Sequence, residues 1–96
     1  MRNKTILWYS CNKKRKYLFI KIIANSMLTG YDLDKTPFVS NDGTPCYQIF
    51  TNTDNILHIT TSDFAELCVE IQEKMNALTM QERYSMLWSN DYKRLL

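Results

Sequence analysis

Apolar residues recur at spacings of three and four through the last third of the chain. Phe64, Leu67, Cys68, Ile71, Met75 and Leu78 form one helical stripe, and Glu66, Glu70 and Glu73 lie off it. Ser62 or Asp63 is placed to cap this helix, which starts near Phe64. Glu70 and Lys74 stand at i and i+4, a helical ion pair worth about 0.2–0.5 kcal/mol. Thr79 and Glu82 make a capping box that opens another helix. Its apolar stripe is Met80, Tyr84, Leu87, Trp88 and Leu95, and Lys93 and Arg94 suit its C-terminal end through the helix dipole. Two helices joined this tightly predict a bend or hairpin packed on one face of a sheet.

The strands come earlier. Residues 5–10 are rich in β-branched and aromatic types and read as a strand. Asn41-Asp42-Gly43, followed by Pro45, is a turn signal between Phe38-Val39 and a strand over residues 46–51. A second turn over residues 52–55 leads into residues 56–60, which completes an antiparallel meander. A regular closure of that turn sets Thr51 opposite Ile56, Ile49 opposite His58 and Cys46 opposite Thr61.

Residues 12–30 carry both patterns. As a helix, Lys14, Lys21, Asn25 and Thr29 fall on one polar stripe, and Gly30 sits where a left-handed C-terminal cap belongs. As a strand, residues 17–23 supply β-forming types. Four cations at a helix N-terminus oppose the dipole, but a strand would leave residues 25–36 as a long irregular stretch. The balance favours a helix near residues 16–29. The expected fold is α+β: a small antiparallel sheet of three to five strands, two C-terminal helices on one face and this further helix. Residues 1–96 are read as a single globular domain.

Charge changes this picture more than composition does. The first twenty-one positions hold seven cations and no acid, and the remainder holds five cations against ten acids, so a net charge of +2 hides a dipolar chain. Lys13-Lys14-Arg15-Lys16, with Lys21 beyond it, lies among Trp8, Tyr9, Tyr17 and Phe19. Cations among aromatics suit single-stranded nucleic acid or an acidic protein, and a lysine-rich loop also blunts a sheet edge. Glu66, Glu70 and Glu73, with Asp63, give a negative helix face that fits a basic partner, or is simply solvated. The apolar run over residues 17–24 is interrupted by Lys21 and too short to span a bilayer, and no small-residue cleavage site follows it cleanly.

Catalytic and metal constellations are weak. Cys11, Cys46 and Cys68 are odd in number and unpaired in spacing, which predicts free thiols in a reducing compartment. They and His58 lack the close ligand pairs of structural zinc sites, and no glycine-rich phosphate loop is present. A Cys46–His58 dyad fails in the expected register, which puts the two on opposite faces. No cofactor or metal is therefore expected.

These readings point to a small non-enzymatic protein-binding module with a cytoplasmic location and no membrane partner. The Asn, Lys, Ile, Tyr and Thr content suggests an AT-rich gene, as in phages and mobile elements. The expected mode is an inhibitor or adaptor that occupies a macromolecular partner. The candidate partner-binding residues are Lys13, Lys14, Arg15, Lys16, Lys21, Trp8, Tyr9, Glu66, Glu70 and Glu73, and Trp88 and Tyr92 are further anchors wherever they are exposed. Alternatives are nucleic-acid binding through the basic cluster and a small enzyme built on Cys46 or His58.

Overall fold

Strand-forming residues at both ends of the first sixty positions meet in one sheet. The computed structural model describes residues 4–96. Its strands are β1 (Thr5–Trp8), β2 (Lys35–Val39), β3 (Pro45–Phe50) and β4 (Asn55–Thr60), and its helices are α1 (Lys13–Thr29), α2 (Thr61–Asn76) and α3 (Met80–Ser89), followed by a short 3-10 turn at Lys93–Leu95. The architecture is α+β with a sheet order of β1-β4-β3-β2. The meander β2-β3-β4 is antiparallel, as its turns predict, whereas β1 joins parallel to β4 and makes the sheet mixed. The cause is directional. Helix α1 carries the chain back so that β2 runs with β1, and two hairpins then return β4 to that same direction.

Helix α1 starts on the four cations that argue against it. Asn12 resolves the conflict, because its side chain accepts hydrogen bonds from the backbone N–H groups of Lys14 and Arg15. Gly30 closes the helix at φ 77°, the left-handed conformation its position predicts. The first cap of α2 differs from the expected one. Thr60, not Ser62 or Asp63, accepts from the Asp63 N–H, so the helix begins directly at the end of β4. The Thr79–Glu82 capping box at α3 is present with both of its bonds.

The meander register is one residue away from the regular closure. Gln48 lies opposite His58, Phe50 opposite Ile56 and Cys46 opposite Thr60. Thr51 leaves the ladder and instead donates to the Asn55 carbonyl, with Thr51 and Thr53 hydroxyls bonded across the turn. Such a slip keeps the alternation along each strand but changes which residues of the two strands share a face. Leu7, Tyr47, Ile49, Leu57 and Ile59 face the helices, where Phe19, Ile20, Ile23 and Ala24 of α1 and Leu67, Ile71 and Met75 of α2 complete the core. Met86, Tyr92 and Leu95 from the C-terminal segment join the same cluster.

Candidate binding face

Among the described residues, no helix packs on the other face of the sheet. Ile6 and Trp8 of β1, Phe38 of β2, Cys46, Gln48 and Phe50 of β3, and Ile56 and His58 of β4 share this face by register, and none belongs to the core cluster. The rings form a cluster of their own. His58 lies edge-on to Trp8 at 4.9 Å and tilted against Phe38 at 4.6 Å, and Trp8 and Phe38 are 6.1 Å apart. Ile6 is 52% exposed and Trp8 43%. No strand contains an acidic residue. Lys4 lies 5.9 Å over the Phe50 ring at one end of the face.

His58 is the polar centre of this surface. Only 8% of it is exposed. Its Nε2 is 2.9 Å from the Gln48 Oε1; with the proton on Nε2, the amide oxygen accepts it. That leaves Nδ1 as a buried acceptor with no hydrogen-bond partner among the described residues. Desolvation by burial holds the imidazole below its ordinary pKa, so the neutral form is the resident one.

The shifted pairing also corrects the expected separation of Cys46 and His58. Both lie on the open face, as diagonal neighbours across β3 and β4. Each is engaged elsewhere: the Cys46 thiol donates to the Thr44 carbonyl at 3.4 Å, and His58 bonds Gln48. Cys11, Cys46 and Cys68 are all free thiols. Burial raises the pKa of Cys68, which packs against the core from the α2 stripe. Among the described residues, no group of three or more His, Cys, Asp and Glu side chains is placed to hold a metal ion.

The basic cluster divides on folding. Lys13 and Lys14 are exposed at the first turn of α1. Arg15 turns back and its Nη1 donates to the Trp8 carbonyl at 2.7 Å, which ties the helix start to the end of β1. Lys16 bonds Glu70 at 3.0 Å, and Lys74 reaches the same oxygen at 3.2 Å, so one carboxylate of the acidic helix face joins the basic cluster. The Lys16 hydrogen bond is the main cause that lowers the Glu70 pKa. Glu66 and Glu73 stay exposed. Lys21 is separate: it lines a cleft of about 500 Å³ between α1 and the β3–β4 turn, with Asp32, Asp34 and Asn52 on the rim.

The aromatics also sort by face. Tyr9 turns to the helix side and meets the Phe19 ring at 5.2 Å. Tyr92 is wholly buried, which removes it as an interface anchor. Its N–H donates to the Tyr17 hydroxyl and its own hydroxyl accepts from Asn25. Most of the apolar stripe expected for α3 points outward, although Leu87 is half-buried and Leu95, which with Lys93 and Arg94 lies in the 3-10 turn beyond the end of the helix, is buried. Met80 and Tyr84 are each 68% exposed and Trp88 is 92% exposed, while Met86 is buried. The inward face of α3 is fixed by Glu82, bonded to Thr79 and Arg94, and by Arg83, whose Nε donates to the Met75 carbonyl.

Sequence reasoning found Trp8 but missed Ile6, Phe38, Phe50 and Ile56 around it. A signal for them exists: residues 5–8 and 55–60 carry apolar types at both parities, which marks strands with two apolar faces. Among the described residues no helix is long and apolar enough to cross a membrane. No protein-family model, curated protein or solved structure matches this chain.

Proposed function

We propose that this chain is a small non-enzymatic protein-binding module. It acts in the cytoplasm by occupying a protein partner, in the manner of phage- or mobile-element-type inhibitors and adaptors. One observation carries this reading: the helix-free face of the sheet presents Ile6, Trp8, Phe38, Phe50 and Ile56 as one apolar surface around His58. A contiguous apolar patch with aromatic rings and few charges is the composition of an interface core. Lys4, Lys13, Lys14 and Arg15 supply the charged rim. Catalysis through Cys46 would require a substrate to reach a thiol that is 1% exposed, which favours binding over chemistry.

The test is affinity capture from cell lysate with the wild-type chain and with Ile6→Asp/Ile56→Asp. The expected result is a protein recovered stoichiometrically by the wild type and lost with the variant. Equal recovery by both would remove the open face from the interaction.

The absence of acids from the strands also suits a second reading, single-stranded nucleic acid with bases stacked on Trp8 and phosphates on Lys13 and Lys14. It requires affinity for an oligonucleotide that falls steeply with salt. A salt-independent affinity, or one unchanged in Lys13→Ala/Lys14→Ala, would rule it out.

A further inference from the structure

The two edges of the sheet are not alike. Strand β2, at one edge, carries Lys35 and Pro37, residues that discourage a further strand. Strand β1, at the other edge, has neither within Thr5–Trp8. Its pairing leaves specific groups free. The Thr5 N–H donates to the Asp54 carbonyl and the Tyr9 N–H to the His58 carbonyl, both at 2.8 Å. Residues that face β4 therefore alternate with residues that face away, and Ile6 and Trp8 are the latter. The Arg15 guanidinium takes the Trp8 carbonyl. Among the described residues, the Ile6 N–H, the Ile6 carbonyl and the Trp8 N–H then remain as an unpaired strand edge.

We propose that β1 is a docking edge, and that an acidic, extended peptide segment of a protein partner adds beside it as a fifth strand. This rests on the protein-binding reading above and deepens it. Charge selects the occupant. Lys4 precedes the strand, and Lys13, Lys14 and Arg15 stand at its far end. A second copy of this chain would bring the same cations against these, which disfavours self-pairing. A nucleic acid strand would satisfy the cations but offers no peptide groups for the Ile6 edge. An acidic segment does both, with main-chain hydrogen bonds for affinity and alternate apolar side chains that continue the face begun by Ile6 and Trp8.

The probe is a synthetic peptide in which Glu alternates with Val, compared with its Lys-for-Glu counterpart and with single-stranded oligothymidylate. The readout is amide hydrogen exchange of the full chain by NMR. The Glu peptide is expected to slow exchange at Ile6 and Trp8 by about tenfold, and the Lys peptide to leave it unchanged. Ile6→Pro deletes the outward N–H without touching a bond to β4, and is expected to weaken the Glu peptide by about tenfold. Unchanged protection at Leu57 and Ile59 in that variant verifies its fold. Exchange at Ile6 and Trp8 that does not respond to the Glu peptide, or equal binding by Ile6→Pro, overturns the proposal. If the peptide instead perturbs only Phe38, Phe50 and Ile56, the edge is wrong while the open face stands. Protection by the oligonucleotide alone overturns both in favour of nucleic acid.

Discussion

At the scale of single residues, His58 carries the most testable physics. It is the only histidine in the chain, neutral and wedged between Trp8 and Phe38. Its folded pKa lies below the ordinary value of 6.5. As pH falls through 6.5 the unfolded chain takes up a proton that the folded chain refuses, so protonation favours unfolding. Stability from this group is complete above that pH and declines below it, until the lower folded value is passed. Urea unfolding of the wild type is therefore expected to show lower stability at about pH 5.5 than at about pH 7.5, and His58→Leu to flatten that slope. A slope unchanged in the variant would place its origin elsewhere. Trp88 gives the opposite expectation. It is 92% exposed, so Trp88→Ser should alter stability by no more than about 0.5 kcal/mol in the same assay.

At the scale of elements, the caps and the C-terminal return decide what packs where. Asn12 holds the start of α1 against its own cations. This helix was the least legible element in the sequence, because propensity and dipole point in different directions there. A side-chain cap was the deciding residue, with Gly30 at the other end. Helix α3 shows the reverse case. Its capping box was plain in the sequence, but the rotation of the helix was not. Spacings of three and four fit Met80–Tyr84–Trp88 as well as the face of Met86, and only contacts with Met75 and Arg94 choose between them. Tyr92 then fills the space that Trp88 does not. Its ring is fully buried, its hydroxyl accepts from Asn25, and its backbone N–H donates to the Tyr17 hydroxyl of α1. Tyr92→Ala is expected to cost about 3–5 kcal/mol and Tyr17→Phe about 1 kcal/mol, measured by chemical denaturation. A loss below about 1 kcal/mol for Tyr92→Ala would show that the C-terminal segment is not part of the folded core.

At the scale of the whole molecule, the charge asymmetry of the sequence becomes a joint as well as a surface. Glu70 receives both Lys16 and Lys74, so α1 and α2 are linked across the division between the basic and acidic parts. All three side chains are between a quarter and two fifths exposed, and solvent screens them. Glu70→Ala is therefore expected to cost no more than about 1 kcal/mol at low salt, with the loss shrinking in about 1 M salt. The direction with pH is the same as for His58 and only the window differs: the lowered Glu70 pKa gives stability present above its ordinary value of 4.5, lost as pH falls towards the folded value. What survives as a surface is Lys4, Lys13 and Lys14 beside β1, and Glu66 and Glu73 on α2.

The sequence by itself determined the α+β class, the three-strand meander, the amphipathic face of α2, the Thr79–Glu82 cap and the charge asymmetry. Each of these is written in local spacing: a turn, a periodicity or a cap involves residues only a few positions apart. Tertiary structure alone decided that β1 runs parallel to β4, that the register brings Cys46 and His58 to one face, that α3 turns Trp88 outward, and that no helix among the described residues covers one face of the sheet. These depend on partners tens of residues away, such as Ile6 with Ile56 or Tyr17 with Tyr92. Local patterns show that a residue is apolar; only the assembled chain shows which of its apolar surfaces has been covered.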